Sequence, residues 1–400
     1  MKRYRYALWF SIAVALFIVS AELLVAPLHS AGRAQAILGY VLGVSHLLNM
    51  AGFTIVQICG GRSSYAWTFR SLTLSVALSS AFWGLAVAII IRLRHKLSAP
   101  TDVPQADAPG TSSISRRALL VSGGRAIAAA GMASASWSFF AEPRWFGVTH
   151  RKFPVRGLSP GLHGLRIVQL SDIHHGAWMS LAWVRQIVEA TNALAPDIVA
   201  LTGDYVYHGP QYVRPVARAL SHLRPRVGVV GVLGNHDWYD NRGLTQWAFA
   251  KEGLPLIDNN RLFVTPNRCL VEHAREGLCL AGVGDLWEDK CLYNDALGGI
   301  PGGMPRILLS HNPDVAEQPP FLESGLRVDL MLSGHTHGGQ IRLPGIGAPV
   351  TNSAYGQKYA QGLVQGPVCP VFISRGLGMT VMPVRLGVRP EIAVIELVCA

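Results

Sequence analysis

An α/β fold carrying its chemistry at the carboxyl ends of its strands is what residues 143–400 of this 400-residue chain predict. Three observations lead there. Short apolar strands alternate with helical stretches from about Arg144 onward, the pattern of layered α/β domains. The strands end in Asp, Asn or His beside a glycine, where such sheets place their sites. Half of all residues are hydrophobic, enough for a sizeable core and more than one domain.

The elements follow in order. "GLRIVQLSDIHHG" is a strand with Leu165, Ile167 and Leu170 apolar, running into Asp172 and His174. "LAWVRQIVEATNAL" repeats its apolar residues near helical spacing, at Leu181, Val184, Ile187, Val188 and Leu194. "PDIVALTGDY" is a second strand and ends on Gly203-Asp204, "QYVRPVARALSHL" a second helix, and "VGVVGVLGNHDWYD" a third strand ending on Gly234, Asn235, His236 and Asp237. "RILLSHNPD" ends at His311, and "VDLMLSGHTHGGQ" at His335 and His337. A strand end beside glycine lets the backbone turn sharply and present the next side chain outward.

One histidine after a strand is ordinarily a satisfied or solvated residue. Five strands with the same kind of ending are different, because packing gives a core strand no reason to finish in Asp, Asn or His. Seven candidate ligands, Asp172, His174, Asp204, Asn235, His311, His335 and His337, are too many for one tetrahedral zinc. They suit two divalent metal ions sharing a bridging carboxylate, roughly 3.5–4 Å apart, as in sites that hydrolyse phosphate esters by in-line displacement. Imidazole, carboxylate and amide together suit Mn, Fe or Zn without choosing among them.

The ordered set "DIH", "GD", "GNHD", "SHN" and "GHTH" resembles the calcineurin-like metallophosphoesterase superfamily over about residues 155–400. Through "LSHNPD", "LMLSGHTHGGQI" and "SRGLGMTVMPVRLGVRPEI" the chain is most similar to the bacterial membrane-anchored or exported phosphodiesterase branch of YaeI and YkuE. The resemblance implies a four-layer αββα sandwich. It implies that Asp172, His174 and His337 hold one metal, that Asn235, His311 and His335 hold the other, and that Asp204 bridges. It also implies attack by a metal-bridging hydroxide, with His236 beside the metals as the general acid that contacts a phosphoryl oxygen and protonates the leaving alkoxide. Asp237 and His175 read as supporting or solvated neighbours. The protein serine/threonine phosphatases of the superfamily follow Gly-Asp with Tyr-Val-Asp-Arg-Gly, whereas "GDYVYHG" puts Tyr207 and His208 in the last two polar places. A phosphoprotein substrate is not expected, and His208 becomes a candidate phosphate contact.

The charge lies elsewhere. Residues 1–150 hold 13 Lys/Arg against four Asp/Glu, which leaves the remainder of a net +11 chain nearly neutral. Residues 6–21, 34–61 and 71–91 contain no charged side chain, and a bilayer span needs roughly 20 mostly apolar residues. Two or three spans are expected within residues 1–96; the middle one, with Ser45, His46, Asn49 and Gln57, reads equally as a re-entrant segment. Glu22 and His46 read as ordinary residues of these segments. A basic patch on the folded domain, the footprint of nucleic-acid binding, is missing, and no nucleic-acid partner is expected. Residues 97–114 read as a flexible linker. Residues 115–142, opening on Ser115-Arg116-Arg117, resemble a twin-arginine export signal in an internal position.

The expected protein is thus a multi-pass protein of the inner (cytoplasmic) membrane with an extracytoplasmic phosphoesterase domain, acting on a phosphate ester, lipid-linked substrates included, as phosphodiesterase or pyrophosphatase. The competing reading is a membrane sensor or scaffold whose domain binds a ligand without turnover; such domains usually lack one or more metal residues, and none of the seven is missing. Six cysteines show no zinc-finger spacing.

Overall fold

The computed structural model describes residues 116–400, and Leu120–Ala400 form one compact unit. The membrane-spanning segments expected within residues 1–96 and the linker at 97–114 lie outside the described residues. The twin-arginine-like segment folds as helix α1 (Arg116–Ser136), followed by a π turn at Trp137–Ala141 and a 3-10 turn at Glu142–Arg144. Among the described residues no helix is long and apolar enough to cross a membrane.

Two mixed sheets follow. The first contains β1 (Gly147–Val155), β2 (Leu165–Leu170), β3 (Ile198–Thr202), β4 (Gly228–Val232) and β12 (Glu391–Cys399), in the order β1-β12-β2-β3-β4. Strands β2, β3 and β4 run parallel, with Leu170 level with Leu201 and Thr202 level with Val232. The second contains β5 (Asn260–Val264), β6 (Leu270–Val271), β7 (Leu278–Gly282), β8 (Arg306–Leu309), β9 (Leu330–Ser333), β10 (Gly362–Gln365) and β11 (Pro370–Ile373), in the order β10-β11-β9-β8-β7-β5-β6. Here β7, β8 and β9 are parallel, with Gly282 level with Leu309 and Leu309 with Leu332.

Strand alternation decides what each sheet buries. Ile167, Ile198, Ala200, Val230 and Val232 of the first sheet meet Leu278, Leu280, Ile307, Leu309, Leu330 and Leu332 of the second in one cluster. Their neighbours Val168, Leu170, Val199 and Leu201 face the other way, toward α2 (Leu181–Ala193), α3 (Val213–Leu220) and α4 (Asn235–Lys251). Cys279, Ala281, Leu308 and Met331 face short helices α5 (Tyr293–Leu297) and α6 (Pro319–Leu322) on the far side. Both faces of the central strands are therefore covered, which is why they read as continuous apolar runs rather than alternating ones. Each fully buried Leu, Ile or Val contributes roughly 1.5–3 kcal/mol. Helix α2 starts where Ser180 Oγ accepts the Trp183 N–H at 3.3 Å.

The expected α/β fold is present, and its register explains the site. Because parallel strands of each sheet end level with one another, the residues two or three places beyond β2, β3, β4, β8 and β9 emerge along one edge. Those residues are Asp172, Asp204, Asn235, His311 and His335.

Candidate metal centre

All seven expected ligands are buried, and six of them fall into two clusters. Ligand atoms of Asp172, His174 and His337 lie within 4.8 Å of one another, and so do those of Asp204, His311 and His335. Asp204, His174 and His236 form a third such group that joins the two. In the first cluster His174 Nε2 is 3.0 Å from His337 Nε2, and His337 Nε2 is 3.3 Å from Asp172 Oδ1. In the second, His335 Nδ1 is 3.1 Å from His311 Nε2, which is 3.2 Å from Asp204 Oδ2. The same Asp204 oxygen is 3.5 Å from His174 Nε2.

The backbone is strained to achieve this. Asp172, His174, Asp204, His335 and His337 all have positive φ, between 49° and 70°, although none is glycine. Left-handed backbone costs a non-glycine residue roughly 1–3 kcal/mol and persists where its surroundings hold it. Here those surroundings are hydrogen bonds. The His335 N–H donates to Asp172 Oδ1 at 2.9 Å, and the His236 N–H to Asp204 Oδ1 at 2.8 Å. Asp237 accepts from three backbone N–H groups, those of Asp204 (2.8 Å), Tyr205 (2.9 Å) and Gly234 (2.9 Å), tying the loop after β3 to the start of α4. His311 Nδ1 sits 2.8 Å from the Thr202 carbonyl, so this nitrogen carries the hydrogen and Nε2 faces the site.

Protonation follows from burial and neighbours. Burial lowers His174 to about 3 and holds His335 and His337 well below 6.5, so these imidazoles are neutral at pH 7 and offer lone pairs. Burial alone would lower His311 as well, but the Asp204 carboxylate raises it to about 10. Burial would raise Asp204, yet His311 and His236 pull it well below the usual carboxylate value. Asp172 rises to about 6 through burial, with His311 opposing.

These residues fit metal ions. Co-ligands about 2.1 Å from one ion lie roughly 3.0–3.5 Å apart, the spacing found within each cluster. Asn235 Oδ1 is buried without a hydrogen-bond partner, a cost that an ion at that edge would remove. Asn235 opens α4 directly beside His236.

His236 is the partly exposed member of the site. Its ring lies 4.9 Å from that of His174 and 5.1 Å from that of Tyr207. Burial lowers its pKa while Asp204 opposes. An anionic group placed against it would favour the imidazolium. His208 lies 6.3 Å from His236, ring to ring. His175 is turned away: its Nδ1 is 2.7 Å from the Met179 carbonyl and its ring packs on Tyr212.

The chain matches the calcineurin-like phosphoesterase family model over residues 165–339, which spans the strands and loops of both clusters. It is 30% identical over 274 residues to the uncharacterized metallophosphoesterase YkuE of Bacillus subtilis, covering 64% of this chain and 87% of that protein. The chain belongs to the calcineurin-like phosphoesterase family. Within that family it is also similar to phosphodiesterase YaeI of Escherichia coli, at 28% identity over 71% of this chain and all of that one. A third relative is the transmembrane protein with metallophosphoesterase domain of Danio rerio, at 32% identity over 62% of this chain and 56% of that one. As a metallophosphoesterase the protein is a phosphoric ester hydrolase of a family that uses divalent metals, and the histidine and aspartate clusters at this edge are its candidate ligands.

Three residues at this edge escape the sequence reading. Asp285 follows β7, accepts the Trp287 N–H at 2.9 Å, and is raised to about 6 by burial, with His311 opposing. Its stretch, "LCLAGVGD", has the same strand-then-Gly-Asp form as "ALTGD", a signal that was present. The Trp287 ring stands edge-on to His335 at 4.3 Å. Arg385, fully buried, donates to the Gly378 carbonyl and brings Nη2 to 3.3 Å from His337 Nδ1. Nothing in its local sequence marks it, because only the fold of the 374–390 loop carries it there.

Proposed function

We propose that the protein is a membrane-anchored, dinuclear metal-dependent phosphoesterase of the phosphodiesterase or pyrophosphatase type. The observation that carries this is Asp204, whose carboxylate lies between the two clusters, 3.5 Å from His174 and 3.2 Å from His311. Asp172, His174 and His337 would hold one ion, Asn235, His311 and His335 the other, and Asp204 both. Bound there, the two ions supply positive charge for the phosphoryl oxygens and activation of the attacking water. The chain's own residues do the rest. Three neutral imidazoles keep lone pairs toward the ions at neutral pH. His236 holds a phosphoryl oxygen by its ring N–H and gives that proton to the departing alkoxide. Asp237 fixes the loop of Asp204 and the start of α4 in one geometry, so the ligands and the acid keep their spacing.

The name of the YaeI relative favours a diester. The name of the Danio rerio relative and the charge-free segments within residues 1–96 favour a membrane anchor and a membrane-associated substrate, lipid-linked phosphates included. The internal twin-arginine-like segment favours an extracytoplasmic domain, and a reporter fused after Ala400 that is active only in the cytoplasm would overturn that placement. The presence of all seven ligands and His236 weighs against a sensor without turnover.

Hydrolysis of bis(p-nitrophenyl) phosphate by the full chain tests the activity. We expect turnover with added Mn²⁺ and its loss with EDTA. A folded preparation inactive with every divalent metal would contradict it.

A further inference from the structure

The nine residues from Trp137 to Trp145 expose four large aromatic side chains: Trp137 (44% exposed), Phe139 (45%), Phe140 (73%) and Trp145 (51%). Val381 and Met382, on the loop that packs against this segment, are exposed as well. Soluble surfaces seldom expose this much clustered apolar area.

This collar is built and fastened. The Trp137 and Trp145 rings meet edge-to-face at 5.6 Å, and the Arg389 guanidinium lies 3.6 Å over Trp145. Arg144 donates to the carbonyls of Phe139 (3.3 Å) and Phe140 (3.2 Å). Glu142 accepts the Trp137 indole N–H at 3.0 Å and the Val388 N–H at 2.7 Å, so it is buried and spent internally. The Arg385 N–H donates to the Ser138 carbonyl at 3.0 Å, while the Arg385 side chain reaches His337. The Val381 N–H donates to the Tyr207 hydroxyl at 2.8 Å, beside His236. The loop that holds the collar thus also reaches the metal centre.

Charge decides what covers it. Residues 122–156 contain five Lys/Arg, of which Lys152 pairs with Glu396 at 3.6 Å, and one acid, the buried Glu142. Helix α1 carries Arg125, no acid, and exposed Ile127 and Met132. Exposed apolar rings flanked by Arg144 and Arg389, with the acid of the segment, Glu142, buried and spent internally, match the boundary between acyl chains and anionic headgroups. We propose that the Trp137–Trp145 collar, with Val381 and Met382, seats the catalytic domain on an anionic phospholipid surface. This contact is separate from any membrane-spanning anchor and does not depend on turnover at the metal centre.

Hydrogen exchange on the full chain tests it, in nanodiscs of phosphatidylcholine alone, in nanodiscs also containing phosphatidylglycerol, and in detergent. Peptides covering residues 137–146 and 380–389 should exchange several-fold more slowly with phosphatidylglycerol present, and high salt should reduce the difference. Phe140→Asp, at a side chain with little packing to lose, should abolish that protection while leaving the melting temperature unchanged. Equal exchange in all three settings would overturn the proposal. So would protection that appears in detergent and grows with protein concentration, because a second copy would then be the occupant.

Discussion

Asp204 and His311 face each other at 3.2 Å, one carried past the end of β3 in the first sheet and the other past the end of β8 in the second. The pair joins the two halves of the sandwich at their common edge. It also leaves a proton on His311, held up to about 10, where the proposed metal ion would bind.

Metal binding should therefore release a proton. His311 is protonated at pH 7 in the metal-free site and must lose that proton to become a ligand, so apparent affinity should rise with pH, up to about tenfold per unit below pH 10. Calorimetric titration of the metal-stripped protein in buffers of different ionisation enthalpy reads the proton directly. Heats independent of buffer would contradict it.

Gly334→Ala should disable the cluster of Asp172. A Cβ at position 334 would overlap both Ser171 Oγ and Asp172 Oδ2, which the Thr202 carbonyl and the His335 N–H hold in place by hydrogen bonds. The expected cost is roughly 1–3 kcal/mol of stability together with loss of metal. A variant with full metal content and an unchanged melting temperature would show that the loop relaxes.

Asp237→Asn should lower stability and metal affinity together. The carboxylate accepts three backbone N–H groups, and an amide nitrogen in place of one oxygen would face a donor. Leaving a buried donor unmatched costs roughly 1–3 kcal/mol. Thermal melts and metal titration of the same preparation check both effects.

Asp258 predicts a pH-dependent stability. The residue is partly exposed, but its Oδ2 is buried without a partner, and burial raises its pKa to about 7, with the Leu233 N–H opposing. For an acid raised on folding, the stabilising contribution is complete below the unfolded value near 4 and is lost as pH rises through about 7. Asp258→Asn, which can still accept the Leu233 N–H, should match the wild type near pH 4 and exceed it at pH 8 by an amount on the order of 1–4 kcal/mol. Melting curves at the two pH values give the comparison; a variant less stable at both would contradict it.

Much of the fold and site is legible locally because strand register converts sequence position into spatial position. Asp172, Asp204, His311 and His335 each stand two residues past a strand end, and the level ends of parallel strands bring them together. What escapes is carried by long-range pairing. Strand β12 lies between β1 and β2, pairing Gly147 with Glu391 and Ile167 with Ile395, and no local pattern announces those partners. Helix α4 escapes because Asn241 interrupts its dihedrals and Gly243 follows, breaking the apolar periodicity after Asn235. Arg385 reaches His337 only once the 374–390 loop has folded over the edge.

The most direct test is metal content per chain and bis(p-nitrophenyl) phosphate turnover measured on the same preparations of wild type, Asp204→Asn and His236→Ala. The wild type should hold two ions, Asp204→Asn should lose both metal and activity, and His236→Ala should keep two ions while turnover falls about 10²–10⁴-fold. A His236→Ala protein that loses its metals, or an active wild type holding fewer than two, would contradict a dinuclear site with His236 as its acid.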